Sequence, residues 1–129
     1  MRDVKGLTGL QLAILQVLWE RGEASTQDVW AALAAERELA VTTVATLLSR
    51  LAGRRIVARR KAGRHYVYRA TVSCAEVRRS KVREVTETLF GGDSAALLRQ
   101  VVQDVDERER QRIRTVLDEV KAAGPGTDP

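Results

Sequence analysis

Eight basic side chains lie between Arg50 and Arg69, and this stretch contains no aspartate or glutamate. The basic residues are Arg50, Arg54, Arg55, Arg59, Arg60, Lys61, Arg64 and Arg69. Charges of one sign at this density repel each other unless a polyanion lies opposite them. The stretch therefore predicts a binding surface for a polyanion, and duplex DNA is the leading candidate.

Short polar side chains at the start of this region could contact base edges. They fall on one side of a predicted helix, and they are Thr42, Thr43, Thr46, Ser49 and Arg50. The other side is apolar and carries Val41, Val44, Leu47, Leu48 and Leu51. Threonine and serine let a helix approach the major groove, and arginine can fork onto guanine or phosphate. The pattern predicts a DNA recognition helix; ordinary solvated side chains are the alternative interpretation.

Two short β-rich runs follow this helix, from Ile56 to Arg60 and from His65 to Arg69. The turn between them contains Gly63, where a positive φ is expected. Basic residues in and beside this hairpin are predicted to contact phosphates or the minor groove: Arg54, Arg59, Arg60, Lys61 and Arg64. The alternative interpretation is a surface that only keeps the protein in solution.

Two further helices are predicted to support the recognition helix. Thr8 is a plausible N-cap for the first helix, which Gly22 ends. Residues 25–28 match a capping box, so a second helix should run to about Glu36. The third helix covers about Val41 to Gly53. Two helices, a recognition helix and a basic hairpin are the order of a winged helix-turn-helix domain.

Three amphipathic helices are predicted after residue 72. They cover about 73–90, 94–105 and 107–122, and Gly91 and Gly92 separate the first two. Their apolar stripes are too narrow to bury much surface within one chain, so a second copy should cover them. The residues predicted for this dimerisation are Val85, Leu89, Leu97, Leu98, Val101, Val102, Ile113, Val116, Leu117 and Val120.

Charge is distributed unevenly between these two parts. The formal net charge is +5 over 129 residues, and residues 1–70 hold 12 Lys+Arg against 6 Asp+Glu. A polyanion should therefore bind the first part. We predict a mainly α (α+β) protein with a winged-helix DNA-binding domain at 1–72, a helical dimerisation domain at 73–123 and a disordered tail at 124–129.

Several classes of function find no support in the sequence. It contains no Gly-rich phosphate loop, metal-binding His pair or GxSxG elbow, so we predict neither an enzyme nor a cofactor. Cys74 is the only cysteine and His65 the only histidine, which argues against a metal site. Without a secretory segment or a membrane span, a cytoplasmic location is expected. A winged-helix protein-interaction module and a thiol-responsive regulator that uses Cys74 remain alternatives.

The sequence resembles the BlaI/MecI/CopY penicillinase-repressor family from about Leu7 to Val120. The most specific part is the block TTVATLLSRL at residues 42–51. Further similar motifs are LTGL at 7–10, VLWE at 17–20, HYVYR at 65–69 and FGG at 90–92. The resemblance implies a homodimeric winged-helix repressor that binds palindromic operators, with the recognition helix in the major groove and the hairpin as the wing.

Three departures from the family pattern bear on regulation. Val41 stands where family members often have tyrosine, and Cys74 alone replaces the cysteine-rich motif of the copper-responsive branch. In the β-lactam-responsive branch, a membrane-bound sensor protease cuts an Asn-Phe pair. The corresponding position in this sequence is Gln100-Val101. The resemblance therefore leaves the inducing signal open, with proteolysis as one candidate.

Overall fold

The computed structural model describes residues 3–124, and it contains six α-helices and a three-stranded sheet in that range. The elements are α1 (Gly9–Arg21), β1 (Ala24–Ser25), α2 (Thr26–Ala34), α3 (Val41–Gly53), β2 (Val57–Ala62), β3 (His65–Ala70), α4 (Cys74–Phe90), α5 (Ser94–Asp104) and α6 (Glu107–Ala123). This mainly helical fold with a small sheet confirms the predicted fold class. The tail predicted to be disordered lies, from residue 125 onward, outside the described residues.

Capping boxes begin the first two helices, which confirms the predicted N-cap Thr8 and the predicted capping box at residues 25–28. The Thr8 hydroxyl accepts a hydrogen bond from the Gln11 backbone N–H, and the Gln11 side chain accepts one from the Thr8 N–H. Ser25 and Asp28 form the same reciprocal pair before α2. These bonds satisfy N–H groups that a helix leaves without partners at its start. Helix α2 ends at Ala34, earlier than the predicted Glu36.

The third helix has the predicted bounds, and its apolar side lies in the core. Val44, Leu48 and Leu51 are fully buried. They pack in one cluster with buried residues of α1, α2 and the sheet, among them Ile14, Leu15, Leu18, Val29 and Val57. Burial of each such side chain contributes about 1.5–3 kcal/mol. This anchoring fixes which side of α3 remains exposed.

The sheet has the strand order β1-β3-β2, and both pairings are antiparallel. The link between α1 and α2 contains the two-residue strand β1. Strands β2 and β3 form the predicted hairpin, in which Val57 pairs with Ala70 and Ala62 with His65. Gly63 in its turn has a φ of 65°, the left-handed conformation expected there.

The two tryptophans pack against the core and also hold neighbouring loops. The Trp30 indole N–H donates to the Leu39 carbonyl oxygen at 2.7 Å. The Trp19 indole N–H donates to the Val72 carbonyl oxygen at 2.9 Å. The first bond fixes the chain just before α3, and the second fixes the chain just before α4. Both rings are therefore structural.

The first compact unit extends into α4 and ends at Glu84. Val77 of α4 is buried in the same cluster as Val4 and Val72. The Lys81 ammonium group donates to the Leu7 carbonyl oxygen at 2.7 Å, and the Glu84 carboxylate accepts from the Gly6 N–H. These contacts place the boundary between compact units within α4 rather than at residue 72, because the first half of the helix completes the N-terminal core.

The second unit begins at Val85 and contains the end of α4 together with α5 and α6. Asp93 and Asp106 cap α5 and α6 through their side chains. In residues 85–124, no apolar side chain is buried. The helices thus have well-formed ends but no interior of their own.

Candidate nucleic-acid interface

The five side chains predicted to contact bases lie together on the exposed side of α3. We call Thr42, Thr43, Thr46, Ser49 and Arg50 the recognition face, and all five are exposed. The Thr46 hydroxyl donates to the Thr42 carbonyl oxygen at 2.9 Å. Because its proton is used within the helix, Thr46 offers outward a methyl group and acceptor lone pairs. A thymine methyl or a base amino group is the matching partner in the major groove.

The wing (residues 57–70) carries its basic side chains on two opposite faces. Directly paired residues of a sheet share a face, so Arg59 lies on the side of Tyr68, which is buried, and Arg60 lies on the other side with Val67. The Arg59 guanidinium carbon lies 4.4 Å from the centre of the Tyr66 ring, a cation–π contact. The face of the wing that carries Tyr68 is therefore apolar next to the core and basic nearer the hairpin turn.

Two grooves connect α3 with the wing. The smaller, of about 390 Å³, is lined by Ser49, Ala52, Gly53, Val57, Ala58 and Arg59. The larger, of about 470 Å³, is lined by Ser25, Thr26, Gln27, Val41, Arg64, His65, Tyr66 and Tyr68. Each groove has α3 on one side and a basic wing residue on the other. The fold therefore brings Ser49 of the recognition face beside Arg59, and the start of α3 beside Arg64.

Arg54, also predicted to contact DNA, is held by the chain itself. Its Nη2 atom donates to the carbonyl oxygens of Asp3 and Lys5, at 2.9 and 2.7 Å. These bonds attach the N-terminal segment, residues 3–7, to the end of α3. Contact of Arg54 with phosphate remains a prediction, but its guanidinium already has two partners.

Arg60, a second predicted phosphate contact, forms a two-pronged ion pair. Its Nε and Nη2 atoms donate to the two Glu23 carboxylate oxygens at 2.8 and 2.9 Å. The bonds to Arg60 hold the pKa of Glu23 below its usual value, and nearby Arg69 acts in the same direction. The same pairing raises the pKa of Arg60. The acid absent from residues 50–69 is thus supplied by the turn before β1.

A family model described as penicillinase repressor matches residues 7–119. The chain belongs to the penicillinase repressor family. The transcriptional regulator BlaI of Mycobacterium tuberculosis is 33% identical to it over 131 residues, covering 100% of this chain and 94% of the relative. The resemblance found in the sequence motifs is confirmed.

Solved structures similar to this penicillinase repressor family member support the winged-helix fold. The DNA-binding domain of the repressor BlaI has a TM-score of 0.53 at 22% identity and covers 59% of this chain and 93% of that chain. Bacillus licheniformis BlaI, in its monomeric form in complex with the blaP half-operator, has a TM-score of 0.50 at 22% identity and the same coverage.

Sequence reasoning missed part of the surface of this family member. The Tyr66 side chain is 42% exposed and lies in the larger groove under Arg59, whereas Tyr68 on the same strand is buried. Thr26 and Gln27, at the start of α2, line the same groove. The period of two along β3 groups Tyr66 with Tyr68, but it does not show where the core ends.

The second unit of this family member exposes apolar side chains. Leu89 is 74% exposed and Val120 63% exposed. All ten residues predicted for dimerisation are exposed or half-buried. A groove of about 450 Å³ runs beside α6 and includes Leu98, Ile113, Val116 and Leu117 in its lining.

The described part of the chain offers no membrane span and no metal-binding cluster. No helix there is long and apolar enough to cross a bilayer. Among residues 3–124, no group of three or more histidine, cysteine, aspartate or glutamate side chains could hold a metal ion. Cys74, at the start of α4, is a half-buried free thiol.

Proposed function

We propose that this chain is a DNA-binding transcriptional repressor that acts as a homodimer on a pseudo-palindromic operator. The observation that carries the proposal is the adjacency of α3 and the basic wing across two grooves, one of which places Ser49 of the recognition face beside Arg59. Family membership and the half-operator complex of Bacillus licheniformis BlaI support the assignment to DNA. Bound at an operator, such a protein would block the promoter.

In this proposal, α3 enters the major groove with the recognition face toward the bases. The threonines and Ser49 contact base edges and thymine methyl groups, and Arg50 forks onto a guanine. Arg59, Lys61 and Arg64 contact phosphates beside the groove. The Tyr66 ring beneath Arg59 limits the motion of that side chain, which lowers the entropy lost when it binds.

A second copy of the chain is the proposed partner of the apolar faces of α4, α5 and α6. Helices of this length are marginally stable alone, and residues 85–124 bury no apolar side chain. A two-fold axis would bring the same face of each copy together. It would also set two recognition helices about one turn of DNA apart, or a multiple of it.

Proteolysis in α5 by a membrane-bound sensor protease is the proposed route of release, by analogy with the β-lactam-responsive branch. Gln100 and Val101 lie inside α5, where the Gln100 side chain donates to Asp104 at 3.0 Å. Proteases act on locally unfolded chain, so α5 would have to unwind first. Within one chain, residues 94–104 bury no side chain, so the main cost of unwinding α5 would be the loss of its contacts with the second copy.

A binding assay on DNA from the region upstream of the gene tests the proposal. Affinity should fall steeply with salt, since several phosphates are neutralised by each subunit. A random duplex of equal length and composition should bind more weakly. If no salt-sensitive, sequence-selective complex forms, the proposal is wrong and a protein-interaction module becomes the better interpretation.

Replacing Arg50 with alanine separates contact with bases from contact with phosphates. A base contact predicts a larger loss of affinity on the operator than on random DNA. Equal losses on both duplexes would make Arg50 a phosphate contact.

A Cys74→Ser variant tests the thiol-responsive alternative. We expect it to bind and release DNA as the wild type does, with or without oxidant. A difference in DNA release under oxidant would favour the thiol-responsive alternative.

A further inference from the structure

Glu23 faces a basic wing side chain that the charge pattern had assigned to DNA. It follows α1 and precedes β1, and its carboxylate holds Arg60 through two hydrogen bonds of 2.8 and 2.9 Å. In the free protein, this arginine therefore has a compensating negative charge at contact distance. A phosphate would have to displace Glu23, and the freed carboxylate would repel it.

The register of the sheet shows that the pair lies on one face of the wing only. Ala24 and Arg59 both pair with Tyr68, whose side chain faces the core. Ser25 and Arg60 both pair with Val67, so they lie on the outer face. Arg59 lines the groove beside Ser49, whereas Arg60 does not. Arg69 pairs with Ala58 and so shares the outer face, where Glu23 lies near both arginines. Glu23 therefore lowers the positive charge of the outer face, whereas Arg59, on the side that borders α3, forms none of the ion pairs found in the described residues.

We propose that Glu23 is a specificity-determining residue, which neutralises Arg60 and so weakens phosphate binding on the outer face of the wing. This inference rests on the proposed function. In the operator complex, base contacts fix the orientation of the protein, and the outer face of the wing points away from the duplex. On random DNA the orientation is not fixed, so a free Arg60 could reach a phosphate and strengthen non-specific binding.

Removal of the carboxylate charge should therefore affect the two kinds of DNA differently. In Glu23→Gln, one more phosphate contact per subunit should form on random DNA. Each phosphate contact changes the slope of log affinity against log salt by about 0.9. The fold loss of affinity between 50 and 200 mM salt should therefore become about threefold larger per subunit. Affinity for the operator should stay within about twofold, so selectivity should fall.

The ion pair also makes a prediction for Arg60 itself. Arg60→Gln alone should change binding to either duplex by less than about twofold, because no phosphate contact is lost and salt screens the exposed Glu23 charge that the substitution frees. In the Glu23→Gln background, the same substitution should remove the gain on random DNA. Such dependence of one substitution on the other is the expected result for directly coupled residues.

Fluorescence anisotropy with labelled operator and random duplexes, at several salt concentrations, tests the inference on the full chain. The matched control is Glu20→Gln, an exposed acid three residues earlier that forms none of the ion pairs found in the described residues. Arg64→Gln serves as the reference for loss of a wing cation that lines a groove with α3. Circular dichroism checks that all variants fold.

Three results would overturn the inference while leaving the proposed function intact. The first is an equal effect of Glu23→Gln and Glu20→Gln, which would indicate only a change in overall charge. The second is an equal gain on operator and random DNA. The third is a loss in Arg60→Gln as large as that in Arg64→Gln. A wild-type protein without salt-sensitive DNA binding would instead overturn both.

Discussion

The two compact units use apolar side chains in opposite ways. In the first unit, α1, α2, α3 and the sheet enclose a common core, with Ile14, Leu48 and Leu51 fully buried. In the second, residues 85–124 bury no apolar side chain, and Leu89 is 74% exposed. Both units have well-capped helices. Local helix chemistry is therefore alike, and the difference lies in whether the helices have something to pack against.

Under the proposed homodimer, one unit is stabilised by its own apolar core and the other by association. A core of fully buried leucine and isoleucine side chains supplies stability at any protein concentration. Helices that expose their apolar faces gain stability only when a partner covers those faces. The stability of the second unit should thus depend on protein concentration, and that of the first should not.

The largest expected effect is the loss of a core side chain in the first unit. Leu48→Ala should lower the free energy of unfolding by about 2–5 kcal/mol, because it removes buried methyl groups and leaves a cavity. Tryptophan fluorescence in urea measures this unit selectively, since Trp19 and Trp30 both lie within it.

The matched variant is Leu89→Ala in the exposed face of the second unit. It should leave the fluorescence transition within about 0.5 kcal/mol of the wild type. Its effect should appear in the helical circular dichroism signal and grow smaller at high protein concentration. A Leu48→Ala cost below about 1 kcal/mol, or one that varies with concentration, would contradict the comparison.

The next effect concerns association directly. The double substitution Val116→Glu/Val120→Glu would place two negative charges in the apolar face of α6. The wild-type side chains there are 53% and 63% exposed. We expect the dissociation constant of the dimer to rise at least about 30-fold, since central apolar contacts each contribute about 2 kcal/mol or more. Sedimentation velocity measures this change.

Gln103→Glu is the control for added negative charge, because this exposed α5 residue lies outside the predicted dimerisation set. It should leave the dissociation constant within about threefold of the wild-type value, as peripheral charges contribute little. If the double variant sediments like the wild type, then another surface, or no second copy, stabilises these helices.

The elements that could be predicted from sequence are those set by neighbouring residues. The bounds of α3, the capping boxes at Thr8 and Ser25, and the positive φ at Gly63 all follow from periodicity or from a single local motif. Each needs information from a few positions only. The recognition face was found for the same reason, because a helical period fixes which residues share a side.

The partners of two arginines could not be predicted in this way. Arg60 pairs with Glu23, 37 residues earlier, and Arg54 bonds to Asp3 and Lys5, 51 and 49 residues earlier. A window of residues 50–69 contains none of these groups, so its unbroken positive charge overstated what is available to DNA. Tertiary folding brings the compensating groups in from the N-terminal part of the chain.

A smaller effect distinguishes arginines that face the grooves from arginines held by the chain. Arg64→Ala should reduce the salt slope of DNA binding by about 0.9 per subunit and leave stability nearly unchanged. Arg54→Ala should lower the free energy of unfolding by about 1 kcal/mol, through loss of its bonds to the N-terminal segment, and keep the salt slope. Titrations in salt and in urea measure both variants. Equal changes in salt slope would make Arg54 a phosphate contact after all.

The smallest effect is a pH dependence in the contact between the N-terminal segment and α4. The Gly6 N–H and then the Lys81 ammonium group, helped by Lys5, hold the pKa of Glu84 below its usual value. A carboxyl whose pKa is depressed in the folded state stabilises that state above its unfolded pKa, and this stabilisation is lost as pH falls through the folded pKa. Glu84→Gln should therefore lower the free energy of unfolding at pH 7 and lower it progressively less toward pH 3, as followed by tryptophan fluorescence in urea.

Glu87→Gln is the control, on the same helix but exposed, and it should keep the wild-type pH dependence. If the two variants lose stability in parallel across this range, Glu84 does not hold the segment through its charge, and the first unit depends on its apolar core alone.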